Sequence, residues 1–283
     1  MLKNSKIIVI KIGSSLLVDS NRIIRKKWLK TFAKDIQRLR LKNKKIIIVS
    51  SGAIALGCKK MNYKNTNLKL DKSQAIASVG QIELMNLFSQ TFSKFKLNIS
   101  QILLTLDDTE ERRRSINAKR TFENLFHLNF IPIVNENDTI ATSEIKYGDN
   151  DRLAARVAQI IGADTLIILS DIDGLYDKSK TKKVIKTVSK IDSNINALID
   201  NKKNSYGSGG ISTKLDAAKI CINAGCHMFI GNGKKNNPIS NMMKRKIYTH
   251  FIPKISSLDA RKKWIISSLN SSGKIYIDQG AAQ

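Results

Sequence analysis

Cysteine, histidine, proline and aromatic residues are all scarce in this chain, and each scarcity removes a class of explanation. Three cysteines among 283 residues, Cys58, Cys221 and Cys226, are too few and too irregularly spaced for a disulfide framework or a CxxC metal site. They fit a reducing compartment. Histidine is as rare: His127, His227 and His250 stand far apart in the sequence, none beside a Ser or Cys in a nucleophile motif. Surface or partly packed roles are expected for them. Aromatics make up only 6%, and no interleaving of aromatic and basic residues marks a single-strand nucleic-acid surface. No uninterrupted apolar run approaches the roughly 18 residues of a membrane span. Lys11 interrupts the apolar stretch near the N-terminus, and no small-residue cleavage site follows, so it does not read as a secretory signal. With 42% hydrophobic residues and only 3 prolines, the chain has material for a sizeable core and no bias towards disorder. A soluble, cytoplasmic protein built as one large α/β domain is the expectation.

Acidic residues are also few: 23 Asp and Glu face 49 Lys and Arg, a formal net charge of +26. Such an excess first points to nucleic acid, because clustered cations neutralise phosphates and release counterions. The distribution argues otherwise. Lysines accompany Asn and Ile along the whole length, and the densest run, Lys42 to Lys45, closes a predicted helix, where cations suit the dipole. The charge reads as solvated surface whose field attracts anionic ligands.

The apolar pattern alternates between strands and helices. Lys6 to Ile12 reads as a buried parallel strand ending in Gly13-Ser14-Ser15, and Arg22 to Leu41 as a crossover helix carrying Trp28, Leu29, Phe32, Ile36 and Leu39 on one side. Lys45 to Val49 is a second buried strand, closed by the small-residue turn Ser50-Ser51-Gly52-Ala53. Helices are expected over Ser73 to Phe92, Ser115 to Leu128 and Asp151 to Ile161. Strands are expected over Ser100 to Thr105, Phe130 to Val134 and Thr165 to Leu169. This order predicts a mainly parallel sheet covered by helices on both faces, with ligands at the carboxyl ends of the strands.

Four features at such ends carry chemistry. Lys11 closes a strand otherwise made of Ile and Val, where an unpaired ammonium is costly to bury. Either it has an anionic partner, with Gly13 letting backbone N–H groups approach an anion, or it is an edge lysine reaching water. Gly207-Ser208-Gly209-Gly210-Ile211-Ser212-Thr213-Lys214 precedes a helix with Leu215, Ala218 and Ile222 on its apolar side. It matches neither GxxxxGK[ST] nor GxGxxG, and it reads as a phosphate-holding loop or as a Gly/Ser linker. Asn135-Glu136-Asn137-Asp138 and Gly148-Asp149-Asn150-Asp151 are dense in amides and carboxylates. They are turn and N-cap residues or the lining of a pocket that grips a zwitterion. Ser170-Asp171, with Gly174-Leu175-Tyr176 beyond, is a turn or a seat for a base or ribose.

Together these segments resemble the amino acid kinase family, and within it the branch that phosphorylates glutamate at the start of proline biosynthesis. The resemblance rests on VIKIGSSLL from Val9, VSSGAIALG from Val49, IPIVNENDTIATSEIKYGDND from Ile131, SDIDGLY from Ser170 and GSGGISTKLDAA from Gly207, and is extended by ARKKWI from Ala260 and GKIYIDQGA from Gly273. It implies a three-layer αβα sandwich of carbamate kinase type, with ATP and Mg²⁺ as the phosphoryl donor. It implies that Lys11 and Lys214 stabilise the phosphoryl group in transfer and that Asp151 orients them. Ser51, Asn135, Asp138, Asp149 and Asn150 would bind glutamate. Gly13, Ser14, Ser170, Asp171, Ser208, Gly209, Gly210, Ile211, Ser212 and Thr213, with both lysines, would hold ATP. Where the family often has Thr, positions 170 and 208 carry Ser, which keeps the hydroxyl. The resemblance further implies proline as a feedback inhibitor, a glutamyl phosphate reductase downstream, and a homodimer or homotetramer. Many bacterial members continue into a PUA domain, so a single catalytic domain over residues 1–283 without it is expected. Kinases of acetylglutamate, aspartate, carbamate or a nucleoside monophosphate are the rivals within the fold. A basic nucleic-acid-binding protein on the same fold is the rival outside the enzyme class.

Overall fold

Five of the six residues of β1 (Ile7–Ile12) are β-branched, and a run of this kind satisfies its backbone and its side chains only with a strand on each side and helices on both faces. The computed structural model, which describes residues 2–19, 23–63, 68–141, 150–177, 183–196, 210–253 and 259, supplies both. After β1 come a single turn α1 (Ser14–Leu17), α2 (Lys26–Arg40), β2 (Lys45–Ser50), α3 (Ala53–Lys60) and α4 (Leu70–Phe92). The middle of the chain forms β3 (Ile99–Leu104), α5 (Leu106–Glu110), α6 (Arg112–His127), β4 (Ile131–Glu136), α7 (Asn150–Ile161) and β5 (Thr165–Ser170). Beyond it lie β6 (Thr187–Val188), α8 (Ser193–Asn196), α9 (Ile211–Asn223), β7 (His227–Asn232), α10 (Pro238–Arg245) and β8 (Thr249–Phe251).

The sheet order is β3-β4-β2-β1-β5-β7-β8-β6. The first six strands are parallel, while β8 runs antiparallel to β7 with β6 parallel beside it. The chain leaves β1 towards β2 on one side and later returns to place β5 on the other, so the strand order reverses at β1 and β5. A crevice opens at the carboxyl ends of strands at such a point.

Alternate residues of a strand face opposite ways, and here that parity decides the site. Ile8, Ile10 and Ile12 join Ile46, Ile48 and Ile167 beneath Trp28, Phe32 and Phe88 of α2 and α4. Val9 joins Ile47, Val49, Leu166 and Ile168 beneath Leu153 and Val157 of α7 and Leu215 of α9. Full burial of each such side chain contributes roughly 1.5–3 kcal/mol, so the register is strongly specified. Lys11 has the parity of Val9. It is therefore delivered to the face that α7 and α9 cover.

Several boundaries differ from those read in the sequence. β4 extends to Glu136, so Asn135 and Glu136 end a strand and do not begin the polar loop. The crossover helix begins at Lys26, because Val18 and Ile24 pair as an isolated bridge and hold the chain extended before it. The small-residue turn after β2 opens directly into α3, with Gly52 at φ +122° making the corner. β7, α10 and β8 have only weak sequence signals and are stabilised by neighbours: Asp35 of α2 accepts from the backbone N–H groups of Ile239 and Ser240 at 3.0 and 3.1 Å and so caps α10. Pairing of β7 with β8 brings His227 and His250, distant in sequence, to 3.1 Å between Nδ1 and Nε2. Burial, and for His250 the neighbouring imidazole, pushes both below the ordinary histidine range, His250 to about 4. The three cysteines are buried and unbridged. Among the described residues no helix is long and apolar enough to cross a membrane.

Helices α3 and α4 pack backbone to backbone at two glycines. A Cβ on Gly80 would sit 1.7 Å from the carbonyl oxygen of Ala53, and one on Gly57 would sit 2.0 Å from that of Ile76. Backbone lies against backbone there, so neither helix can yield by moving a side chain. Gly80→Ala is expected to destabilise the protein by at least about 2–3 kcal/mol, the upper range for overpacking. Chemical denaturation checks this, with a loss below about 0.5 kcal/mol counting against the contact.

Candidate active site

Three elements converge at the carboxyl end of β1. Lys11 Nζ lies 2.7 Å from Asp151 Oδ1, and Lys214 Nζ lies 3.1 Å from Asp151 Oδ2, so one carboxylate bridges two lysines from separate parts of the chain. Asp151 stands in the first turn of α7 and Lys214 in the first turn of α9, both on the face to which parity sends Lys11. Their side chains are 9%, 1% and 6% exposed for Lys11, Asp151 and Lys214, too buried for these to be surface ion pairs. Burial alone would raise the Asp151 carboxyl. The charges and hydrogen bonds of Lys11 and Lys214 outweigh it and hold the group below the usual carboxylate range. The alternative of an edge lysine reaching water is thereby excluded: Lys11 sits in the middle of the sheet with a partner.

Beside this bridge runs a row of amides. Asn150, 2% exposed at the start of α7, brings Nδ2 to 2.8 Å from Ser51 Oγ, 3.2 Å from the Ser50 carbonyl oxygen and 3.1 Å from Asn135 Oδ1. Asn135 Nδ2 in turn donates to Gln81 Oε1 at 2.8 Å. Ser51 is fixed by its own backbone N–H, which donates to the Ile12 carbonyl at 3.1 Å. The turn after β4 carries Asp138, whose carboxyl burial pushes up to about 6. None of the described residues supplies it a hydrogen bond or an ion pair. Gln74 Nε2 donates to the Ala141 carbonyl at 2.8 Å and ties this turn to α4.

Thus Lys11, Lys214 and Asp151 are brought together, and Ser51, Asn135 and Asn150 form one hydrogen-bonded group with Asp138 on the adjoining turn. Asp149, Ser208 and Gly209 lie outside the described residues. Ser170 closes β5 and donates to Asp171 Oδ1 at 3.2 Å, which places both at the end of the strand beside β1. Gly210 is the N-cap of α9 without a side-chain cap, and Ile211, Ser212, Thr213 and Lys214 form its first turn. Thr213 Oγ1 donates to the Gly210 carbonyl at 2.9 Å. The N-terminal N–H groups of this 13-residue helix therefore point out beside Lys214, an arrangement suited to an anion. Gly13 departs from the role read for it: its φ is −75°, which any residue adopts, and a Cβ would meet nothing closer than Lys11 Nζ at 3.9 Å. It leaves open space beside the ammonium; it is not needed for an unusual backbone. Ser14 begins α1 directly after it.

Sequence reading missed Gln81 and Gln74, both on α4. Their spacing of seven residues sets them on one helix face, and that regular interval beside the buried Ala77, Gly80 and Leu84 was the available signal.

A model of the amino acid kinase family matches residues 6–232. A glutamate 5-kinase of Pelagibacter ubique (strain HTCC1062) is 64% identical over 286 residues, covering 100% of this chain and 78% of its own. A glutamate 5-kinase of Bartonella henselae is 48% identical, with 100% and 76% covered. Among solved structures, carbamate kinase from Giardia lamblia bound to AMP-PNP superposes with a TM-score of 0.61 at 15% identity, covering 89% of this chain and 100% of its own. UMP kinase from Ureaplasma parvum gives 0.58 at 15% identity, with 88% and 99% covered. At that identity these two establish the fold.

Removing the bridging carboxylate strands two buried cations. Asp151→Ala is expected to cost about 3–5 kcal/mol of stability at neutral pH, by chemical denaturation. Because the folded carboxyl titrates below its ordinary value, its contribution is complete above about pH 4 and is lost as the pH falls further. The stability gap between the natural protein and Asp151→Asn should therefore narrow in acid. A gap independent of pH counts against the bridge.

Proposed function

The chain belongs to the amino acid kinase family, and from that premise we propose that it transfers the γ-phosphoryl group of ATP to the γ-carboxylate of L-glutamate. The products are L-glutamyl 5-phosphate and ADP, and the reaction is the first of proline biosynthesis. The observation that carries the reading is the Lys11–Asp151–Lys214 bridge at the carboxyl end of the central strand. The substrate follows from the glutamate 5-kinases that match the chain along its whole length.

A carboxylate with an ordinary pKa of about 4.3 is already a nucleophile at neutral pH, so no general base is required. One oxygen of the γ-carboxylate attacks the γ-phosphorus, and the bond to the β-phosphate oxygen breaks with its electron pair leaving on ADP. What the protein must supply is alignment and cancellation of negative charge on the transferring group. Lys11 and Lys214 do this. Asp151 neutralises one of the two positive charges and fixes both ammonium groups, so that a net positive charge faces the phosphates. Gly210 to Thr213 present helix N–H groups to the nucleotide, Ser170 and Asp171 border it, and the space left by Gly13, with Ser14 beyond, admits phosphate next to Lys11. Mg²⁺ enters as part of the nucleotide substrate. Glutamate lies along Ser51, Asn150 and Asn135. Asp138, a partly buried carboxyl with no counter-charge among the described residues, takes its α-ammonium.

The product is an acyl phosphate labile to water, so a reductase that consumes it is the natural successor. Feedback inhibition by proline, a cytoplasmic location and a homodimeric or homotetrameric state belong to the same proposal.

A coupled assay of ADP release tests the substrate across L-glutamate, L-aspartate, N-acetylglutamate and carbamate, with and without proline. Glutamate should dominate; turnover of another acceptor in its place overturns the assignment. Lys11→Ala and Lys214→Ala are each expected to lower kcat on the order of 10²- to 10³-fold, the scale for losing one preorganised electrostatic donor. Near-normal kcat in both removes their role. Asp138 is raised to about 6, so it is ionised above that pH and protonated below it. The KM for glutamate should therefore climb as pH falls from about 7 to 5, while glutamate itself keeps its charges. In Asp138→Asn the KM should be high and flat across that range.

A further inference from the structure

Two buried polar atoms in the amide row have no hydrogen-bond partner among the described residues: Asn150 Oδ1 and Gln81 Nε2. A buried donor left unmade costs about 1–3 kcal/mol, and native interiors leave few. Such an atom in a binding site points to a partner that arrives with the ligand.

The direction of every amide in the row follows from one fixed acceptor. The Ser50 carbonyl oxygen can only accept, so Asn150 must turn Nδ2 towards it, 3.2 Å away. The same Nδ2 then faces Asn135, which must present Oδ1 at 3.1 Å. Asn135 is left with Nδ2 pointing onward, and Gln81 must meet it with Oε1 at 2.8 Å. Gln81 Nε2 is what remains: a donor whose orientation is set by a backbone carbonyl three links away. The close packing of α3 on α4 at Gly57 and Gly80 holds Gln81 at this depth, one residue beyond the tightest point.

We propose that Gln81 is a specificity-determining residue, donating from Nε2 to the α-carboxylate of the amino-acid substrate. The assignment rests on the glutamate reading. The row begins at Asn150, adjacent in sequence to the aspartate that holds both lysines, and ends at Gln81. The reacting γ-carboxylate belongs at the lysine end, so the other carboxylate of the substrate falls to the far end. An N–H donor suits a carboxylate, which only accepts, and it cannot serve an ammonium. The ammonium has Asp138, three residues beyond Asn135 on the adjoining turn.

The test compares L-glutamate with its α-amide, isoglutamine, which keeps the γ-carboxylate and the ammonium and replaces only the α-carboxylate. Gln81→Glu preserves an acceptor for Asn135 and exchanges the donor for a negatively charged oxygen. In this variant kcat/KM for glutamate should fall roughly 100-fold, with KM carrying the loss and kcat within about threefold, as expected for losing a hydrogen bond to a charged group and gaining a like charge. The α-amide can donate to the new carboxylate, so the glutamate-to-amide preference should drop at least tenfold. Where turnover of the amide is too slow to follow, its inhibition constant against glutamate gives the same ratio. An unchanged preference, or a loss carried by kcat, overturns the assignment. Should thermal melting show Gln81→Glu unfolded, Gln81→Ala carries the test, with a preference closer to one expected and an unchanged preference again overturning it. Glutamate left unphosphorylated by the natural protein would instead overturn the glutamate reading itself.

Discussion

Asp151 sits between Lys11 and Lys214 with almost no exposure to water, and the rest of the site is arranged about that carboxylate. Two lysines brought this close into a dry crevice repel each other and lose their hydration, and neither would stay in place alone. One carboxylate compensates part of that cost and leaves the trio with a net positive charge. A site with two carboxylates would be neutral and would offer nothing to a phosphoryl group. One with none would not hold its lysines still.

The bridge in turn constrains the fold. Its members come from β1, the start of α7 and the start of α9, and they meet only because β1 is central and presents Lys11 to the face covered by those two helices. A register slip of one residue would send the lysine into the opposite layer, among Trp28, Phe32 and Phe88. The apolar residues of β1 therefore position the chemistry as well as filling the core.

The amide row adds a second kind of order. Charges at the lysine end are insensitive to small rotations, whereas amides must point the right way to recognise anything. Here the Ser50 carbonyl fixes Asn150, Asn150 fixes Asn135 and Asn135 fixes Gln81, so direction is passed along the row without further contacts. The row leaves Asn150 Oδ1 and Gln81 Nε2 without partners among the described residues. They are the places where a substrate completes the network.

Much of this was legible in the residues themselves. The β-branched runs of β1, β2 and β5 announce buried parallel strands whatever surrounds them, and a lysine or an Asn/Asp run at such a strand end is anomalous on local grounds alone. Local pattern therefore singled out Lys11, Lys214 and the two Asn/Asp runs, while the expected roles of Asp151, Ser51, Asn135 and Asn150 came from the resemblance to the amino acid kinase family. Short elements were not legible: β8 has three residues and α10 depends on Asp35 of α2 for its cap, so their existence is decided by partners distant in sequence. Gln81 was hidden for the same reason. A glutamine on a long helix is ordinary in sequence, and only the approach of α4 to α3 at two glycines, together with the end of β4 beside it, turns its side chain into part of the site. Local pattern determined which residues were chemically unusual; tertiary packing decided which of them meet, and which way each one points, because hydrogen bonds and ion pairs depend on distances that sequence spacing does not encode.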